Sequence, residues 1–121
     1  MTGFATMAMI NLDTADPAAA ATFYAQVLGW EVLHSQDEYA MIGDGTTSIG
    51  WGKVPGYSGP GWPQEAAPKR YHLDFHVDDL DKAEEQALAL GATKADDQPN
   101  PERWRVLLDP GGQPFDICLR S

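Results

Sequence analysis

The sharpest chemistry in the sequence is His72-x-Asp74-x-His76, inside the segment YHLDFHV. Alternate side chains of a strand share a face and sit about 6.6 Å apart along it. An imidazole and a carboxylate placed this way can converge on one divalent ion or move a proton. The competing reading is a half-exposed strand whose outward positions are simply polar. Asp116 and Cys118 alternate in the same manner in PFDICL, near the end of the chain. Cys118 is the one cysteine, so no intramolecular disulfide forms; with no adjacent activating base it reads as a small apolar filler. His34 precedes the polar run Ser-Gln-Asp-Glu and reads as solvent-exposed.

Aromatic residues form the second group. Four tryptophans are many for 121 residues. Trp30 follows a helix-ending glycine and reads as core. Trp51 and Trp104 fall in half-buried strands, and Trp62 lies in a loop. Aromatic faces stack on planar ligands and attract cations, so Trp51, Trp62 and Trp104 are candidate ligand contacts. Each could equally fill core or cover an edge.

These residues need elements to position them. Asp16-Pro17 opens a helix: the carboxylate caps free N–H groups and proline suits the first helical position. Ala20, Phe23, Tyr24, Val27 and Leu28 give it an apolar stripe, and Gly29 ends it. A second helix opens at Asp79, packs through Leu80, Ala83, Ala87 and Leu90, and ends at Gly91. The two caps are 63 residues apart and the two stops 62. Each helix follows a β-rich segment, 7–13 and 71–77. Each is followed by a short strand, 30–33 and 93–95, then by a hairpin: 39–42 with 48–53, and 103–108 with 114–119. Asp44-Gly45 and Asp109-Pro110-Gly111-Gly112 supply the turns.

Each half therefore reads β-α-β-β-β, a repeated module. Module one spans about 4–54, a linker or loop 55–69, and module two 70–121. The stretch from Val54 to Arg70 holds four prolines and three glycines, together with Tyr57 and Trp62. It is expected either to cover a binding site or to pack over an open sheet end. Alternation sets Leu73, Phe75, Val77, Phe115, Ile117 and Leu119 on the core side. Met7, Met9 and Asn11 share the opposite face of the first strand, as His72, Asp74 and His76 do in the fifth.

Composition narrows the partners. Hydrophobic residues make up 43% and charged residues 21%, a globular balance. The formal charge is −10, from 8 basic and 18 acidic residues. That excludes the clustered cations a nucleic-acid or anionic-membrane partner requires. Neutral or cationic small molecules and other proteins remain. The N-terminus lacks a basic signal-peptide region, and no apolar run approaches the roughly 18 residues of a membrane span. A cytoplasmic location is expected.

The doubled plan resembles the vicinal oxygen chelate superfamily, that of the glyoxalase, bleomycin-resistance and dioxygenase fold. The resemblance rests on Asp16-Pro17 with Phe23-Tyr24 and Leu28-Gly29-Trp30, on the string from His72 to Leu80, and on the hairpin from Trp104 to Phe115. It covers nearly the whole chain. It implies an α+β fold in which two βαβββ modules form a cupped eight-stranded mixed sheet with helices on its outer face. It also implies a homodimer. In metal-dependent members, the first and last strand of each half supply one ligand each to a divalent ion. His72 matches the first-strand ligand of the second half. Asp116 matches the last-strand carboxylate, where glutamate is commoner. Their counterparts in the first half are Met9 and the stretch Gly50-Trp51-Gly52, which offer no hard-ion ligand.

Three readings follow. The leading one is a small-molecule-binding protein without a complete metal site. It would take an aromatic or cationic ligand against Trp51, Trp62, Trp104, Met9, Asn11 and His76. The second is a glyoxalase-like lyase, isomerase or dioxygenase with Zn, Ni, Mn or Fe on His72 and Asp116, completed by residues such as Asn11 or His76. The third is an interaction domain with a degenerate pocket.

Overall fold

The element order follows the repeat. In a computed structural model describing residue 3, residues 6–59 and residues 71–120, eight strands and two helices alternate as β-α-β-β-β twice. Two compact units result, Met1–Pro55 and Gly56–Ser121. The eight strands form two four-stranded mixed sheets, one in each unit.

The first unit contains β1 (Ile10–Thr14), α1 (Pro17–Leu28), β2 (Glu31–Ser35), β3 (Tyr39–Gly43) and β4 (Ser48–Lys53). Its sheet order is β1-β4-β3-β2, with β1 parallel to β4 and the remaining pairs antiparallel. The Asp16 carboxylate accepts a bond from the Ala19 N–H at 3.1 Å and caps α1. Gly29, at φ 71°, ends the helix, and both Gly29 and Trp30 donate back to the Ala25 carbonyl. The inner face of the sheet carries Ala40, Ile42, Ile49 and Trp51, all buried. Tyr24 of α1 stacks on Trp51 with ring centroids 5.3 Å apart.

The second unit contains β5 (Leu73–Val77), α2 (Leu80–Ala89), β6 (Thr93–Lys94), β7 (Trp104–Leu108) and β8 (Pro114–Leu119). Its order, β5-β8-β7-β6, repeats that of the first unit. Asp79 caps α2 by accepting from the Lys82 N–H at 3.0 Å. At the other end Gly91 and Ala92 donate to the carbonyls of Leu88 and Ala87. Phe75 and Phe115 meet at 5.8 Å on the helix side of the sheet. Arg105 reaches α2 from that same side, 2.8 Å from Asp81 and 3.2 Å from Glu84. Its partial burial opposes the charge. The bonds to the two carboxylates outweigh that and raise the guanidinium pKa.

The strand β6 has only two residues, shorter than the 93–95 expected, and a side chain extends it. Gln98 donates through Nε2 to the carbonyls of Ala95 and Val106, both at 2.8 Å, and accepts from the Val106 N–H at 2.9 Å. An amide carries the same donor and acceptor as a peptide unit, so Gln98 stands in for a strand partner along β7.

Both hairpins turn on an aspartate. Asp44 Oδ1 accepts from the N–H groups of Thr46 and Thr47, at 2.9 and 2.7 Å. Asp109 Oδ1 accepts from those of Gly111 and Gln113, at 2.9 and 3.0 Å.

Candidate functional site

Pairing register decides which side chains meet. In the second unit β5 and β8 run parallel, with Asp74 opposite Asp116 and His76 opposite Cys118. On the other side of β8, Asp116 pairs with Val106 and Cys118 with Trp104. Directly paired residues project to one face. Asp74, Asp116 and Val106 therefore form one row across the face opposite α2, and His76, Cys118 and Trp104 form the next.

His72 immediately precedes β5 and joins the first row. Its Nε2 lies 3.3 Å from Asp74 Oδ1 and 3.4 Å from Asp116 Oδ2. The Asp116 carboxylate is 7% exposed, that of Asp74 58%. One ligand atom from each of the three residues falls within 4.8 Å of the others. An imidazole nitrogen and two carboxylate oxygens form a donor set for borderline or hard divalent ions. Among the described residues this is the one group of three or more His, Cys, Asp or Glu side chains so gathered.

The first unit holds the same frame with different side chains. Asn11 pairs with Gly50 as Asp74 pairs with Asp116, and Met9 precedes β1 as His72 precedes β5. A Cβ on Gly50 would lie 2.9 Å from Met9 Sδ and 3.2 Å from Asn11 Oδ1. The three positions thus converge here too, but they offer a thioether, an amide and no side chain.

Trp51 departs from the ligand-facing role expected for it. Paired with Leu12 and Ala40, it projects with Ile49 towards α1 and is 2% exposed. Strand parity is the reason: Gly50 and Gly52 take the opposite face. Trp104 does share the face of Asp116 and is half-buried. His76 is exposed in the next row and lies outside the three-donor group. His34 is exposed on β2, 5.8 Å from the Tyr39 ring. Trp62 and the loop segment 60–70 lie outside the described residues.

Asp74 carries more weight here than its spacing alone conveyed, because only the pairing of β5 with β8 brings it beside Asp116. Gln98 had no sequence signal beyond a polar residue near a strand, and Gln113 stood out only as part of the hairpin phrase from Trp104 to Phe115.

No helix among the described residues is long and apolar enough to cross a membrane. No curated protein matches the chain. Solved structures do. A glyoxalase/bleomycin resistance protein/dioxygenase family enzyme from Burkholderia phytofirmans PsJN is 25% identical, with 92% of this chain and 95% of that one covered at a TM-score of 0.64. The fosfomycin resistance protein FosX from Mesorhizobium loti is 14% identical, with 96% and 92% covered at 0.65. The bleomycin-binding protein from bleomycin-producing Streptomyces verticillus, complexed with copper(II)-bleomycin, is 16% identical, with both chains fully covered at 0.60. The model of the glyoxalase-like domain matches residues 9–118. With the doubled βαβββ plan and a match of this extent, the chain belongs to the glyoxalase-like domain family.

Proposed function

We propose that the chain binds one divalent metal ion through His72, Asp74 and Asp116 and holds a small oxygen-bearing molecule beside it. The observation that carries this reading is the convergence of three ligand atoms within 4.8 Å on one face of the second unit. The chemistry of the donor set fits Zn, Mn, Fe or Ni: one neutral imidazole nitrogen and two anionic oxygens, with coordination positions left for substrate. An ion there supplies Lewis-acid polarisation of a ligand oxygen. The protein's own groups do the rest. Asp116, buried, fixes one oxygen, and Asp74, half in solvent, is placed to take or return a proton. Trp104, half-buried on the same face, provides apolar contact for the organic part of the ligand.

Binding of an aromatic or cationic molecule without metal is the second reading, favoured by the half-buried indole of Trp104 on that face. The fold shared with a protein complexed with copper(II)-bleomycin supports small-molecule binding under either reading. A homodimer belongs to the proposal and is checked by light scattering.

Elemental analysis of freshly purified protein, followed by Mn²⁺ and Zn²⁺ titration, separates the two readings. The metal reading expects close to one ion per chain and a loss of at least about tenfold in affinity in His72→Ala. Protein that arrives metal-free and takes up neither ion overturns it.

A further inference from the structure

Gln113 is the residue before β8, and its side chain makes two bonds of opposite kind. Tyr57 Oη donates to its Oε1 at 3.1 Å, and its Nε2 donates to the Tyr71 carbonyl at 2.9 Å. The two bonds are mutually consistent: with the oxygen accepting from the phenol, the nitrogen is left to donate. The main chain of Gln113 is held as well. Its N–H donates to Asp109 Oδ1 at 3.0 Å, and its carbonyl accepts from the Asp109 N–H at 2.9 Å. Gly59 adds a further tie to the same turn, its N–H donating to the Gly111 carbonyl at 2.9 Å.

Tyr71 immediately precedes His72. The paired residues of β5 and β8 begin at Leu73, opposite Phe115, so Tyr71 and His72 lie at the entry to the ladder. The bond from Gln113 acts there, on the peptide unit joining Tyr71 to His72. We propose that Gln113 is a positioning residue: by holding the Tyr71 carbonyl it fixes the entry into β5 and aims the His72 imidazole between Asp74 and Asp116. A ligand histidine on an untethered strand end would sample several directions, and cation affinity falls as that freedom grows. The consequence for cation binding rests on the metal reading above; the positioning of the ring does not.

The test reads the ring directly. The chain has three histidines, so carbon-labelled imidazole spectra of the metal-free protein resolve them, with His72 identified by its loss in His72→Ala. Gln113→Ala and Gln113→Glu are expected to shift or broaden the His72 ring signals and to leave those of His34 and His76 in place. Glutamate keeps an acceptor for Tyr57 but sets an oxygen against the Tyr71 carbonyl, so it should behave as alanine does. Tyr57→Phe removes one hydroxyl and should give a smaller change in the same signals, which keeps the test available if a Gln113 variant folds poorly. Mn²⁺ affinity should fall about tenfold in Gln113→Ala. His72 signals unmoved in folded Gln113→Ala and Gln113→Glu overturn the inference. A wild-type protein that takes up no Mn²⁺ defeats the metal reading alone, since the ring signals still decide whether Gln113 positions His72.

Discussion

Asp74 and Asp116 stand directly opposite each other in the parallel pairing of β5 and β8, with one imidazole nitrogen, His72 Nε2, within 3.4 Å of both. Two carboxylates held this close repel when both are ionised, and a cation between them removes the repulsion.

The two carboxylates should not be equivalent. Asp116 is almost wholly buried and Asp74 is more than half exposed, so water screens the second far more. Asp116→Asn is expected to weaken Mn²⁺ or Zn²⁺ binding by about 10–100-fold, and Asp74→Asn by less. Asp74→Asn should also raise the melting temperature of the metal-free protein at pH 8, by relieving repulsion. Calorimetric titration and thermal unfolding of the same two variants check both statements.

Trp51 should matter to folding and not to the site. Its ring is buried against Tyr24 on the α1 side of its sheet. Trp51→Ala is expected to destabilise by about 3–5 kcal/mol through cavity formation. Trp51→Phe should destabilise less and leave cation affinity unchanged, whereas Trp104→Ala should alter binding of an aromatic ligand. Urea unfolding beside ligand titration separates the two tryptophans.

Gln98→Ala should destabilise through one buried donor. The Val106 N–H bonds to Gln98 Oε1, and Val106 is fully buried, so water cannot replace the lost partner. An unsatisfied buried donor costs about 1–3 kcal/mol. Amide exchange at Val106 should quicken together with the fall in stability.

Asp44 gives a pH-dependent contribution of predictable sign. Bonds from the N–H groups of Thr47 and Thr46 hold its carboxyl below the usual carboxylate pKa. A depressed native pKa stabilises the fold above the unfolded value, near 4, and that stabilisation is lost as pH falls through the native pKa. The melting temperature of Asp44→Ala should therefore lie below that of the wild type at pH 7, and the two should converge as the pH is lowered past 4.

Most of the scaffold was legible because local signals repeat. Asp16 and Asp79 both cap helices, Gly29 and Gly91 both follow helix ends, and Asp44 and Asp109 both organise hairpin turns. Each acts within a few residues of itself, so sequence spacing suffices. The site was less legible, since Asp74 meets Asp116 only through pairing of strands about forty residues apart. Trp51 was misjudged although the repeat held the signal. It occupies the position of Ile117 in the other unit, an inward-facing residue, while Gly50 occupies that of Asp116. The amide of Gln98 substituting for a strand residue leaves no periodic trace.

The Met9, Asn11 and Gly50 triple gives the molecule an internal control. It reproduces the backbone frame of His72, Asp74 and Asp116 and exchanges only the donors. One polypeptide thus holds the same frame twice, once with charged groups and once with neutral ones. Rebuilding the neutral copy by Met9→His with Gly50→Asp asks how much of cation binding is donor identity and how much the surrounding unit supplies.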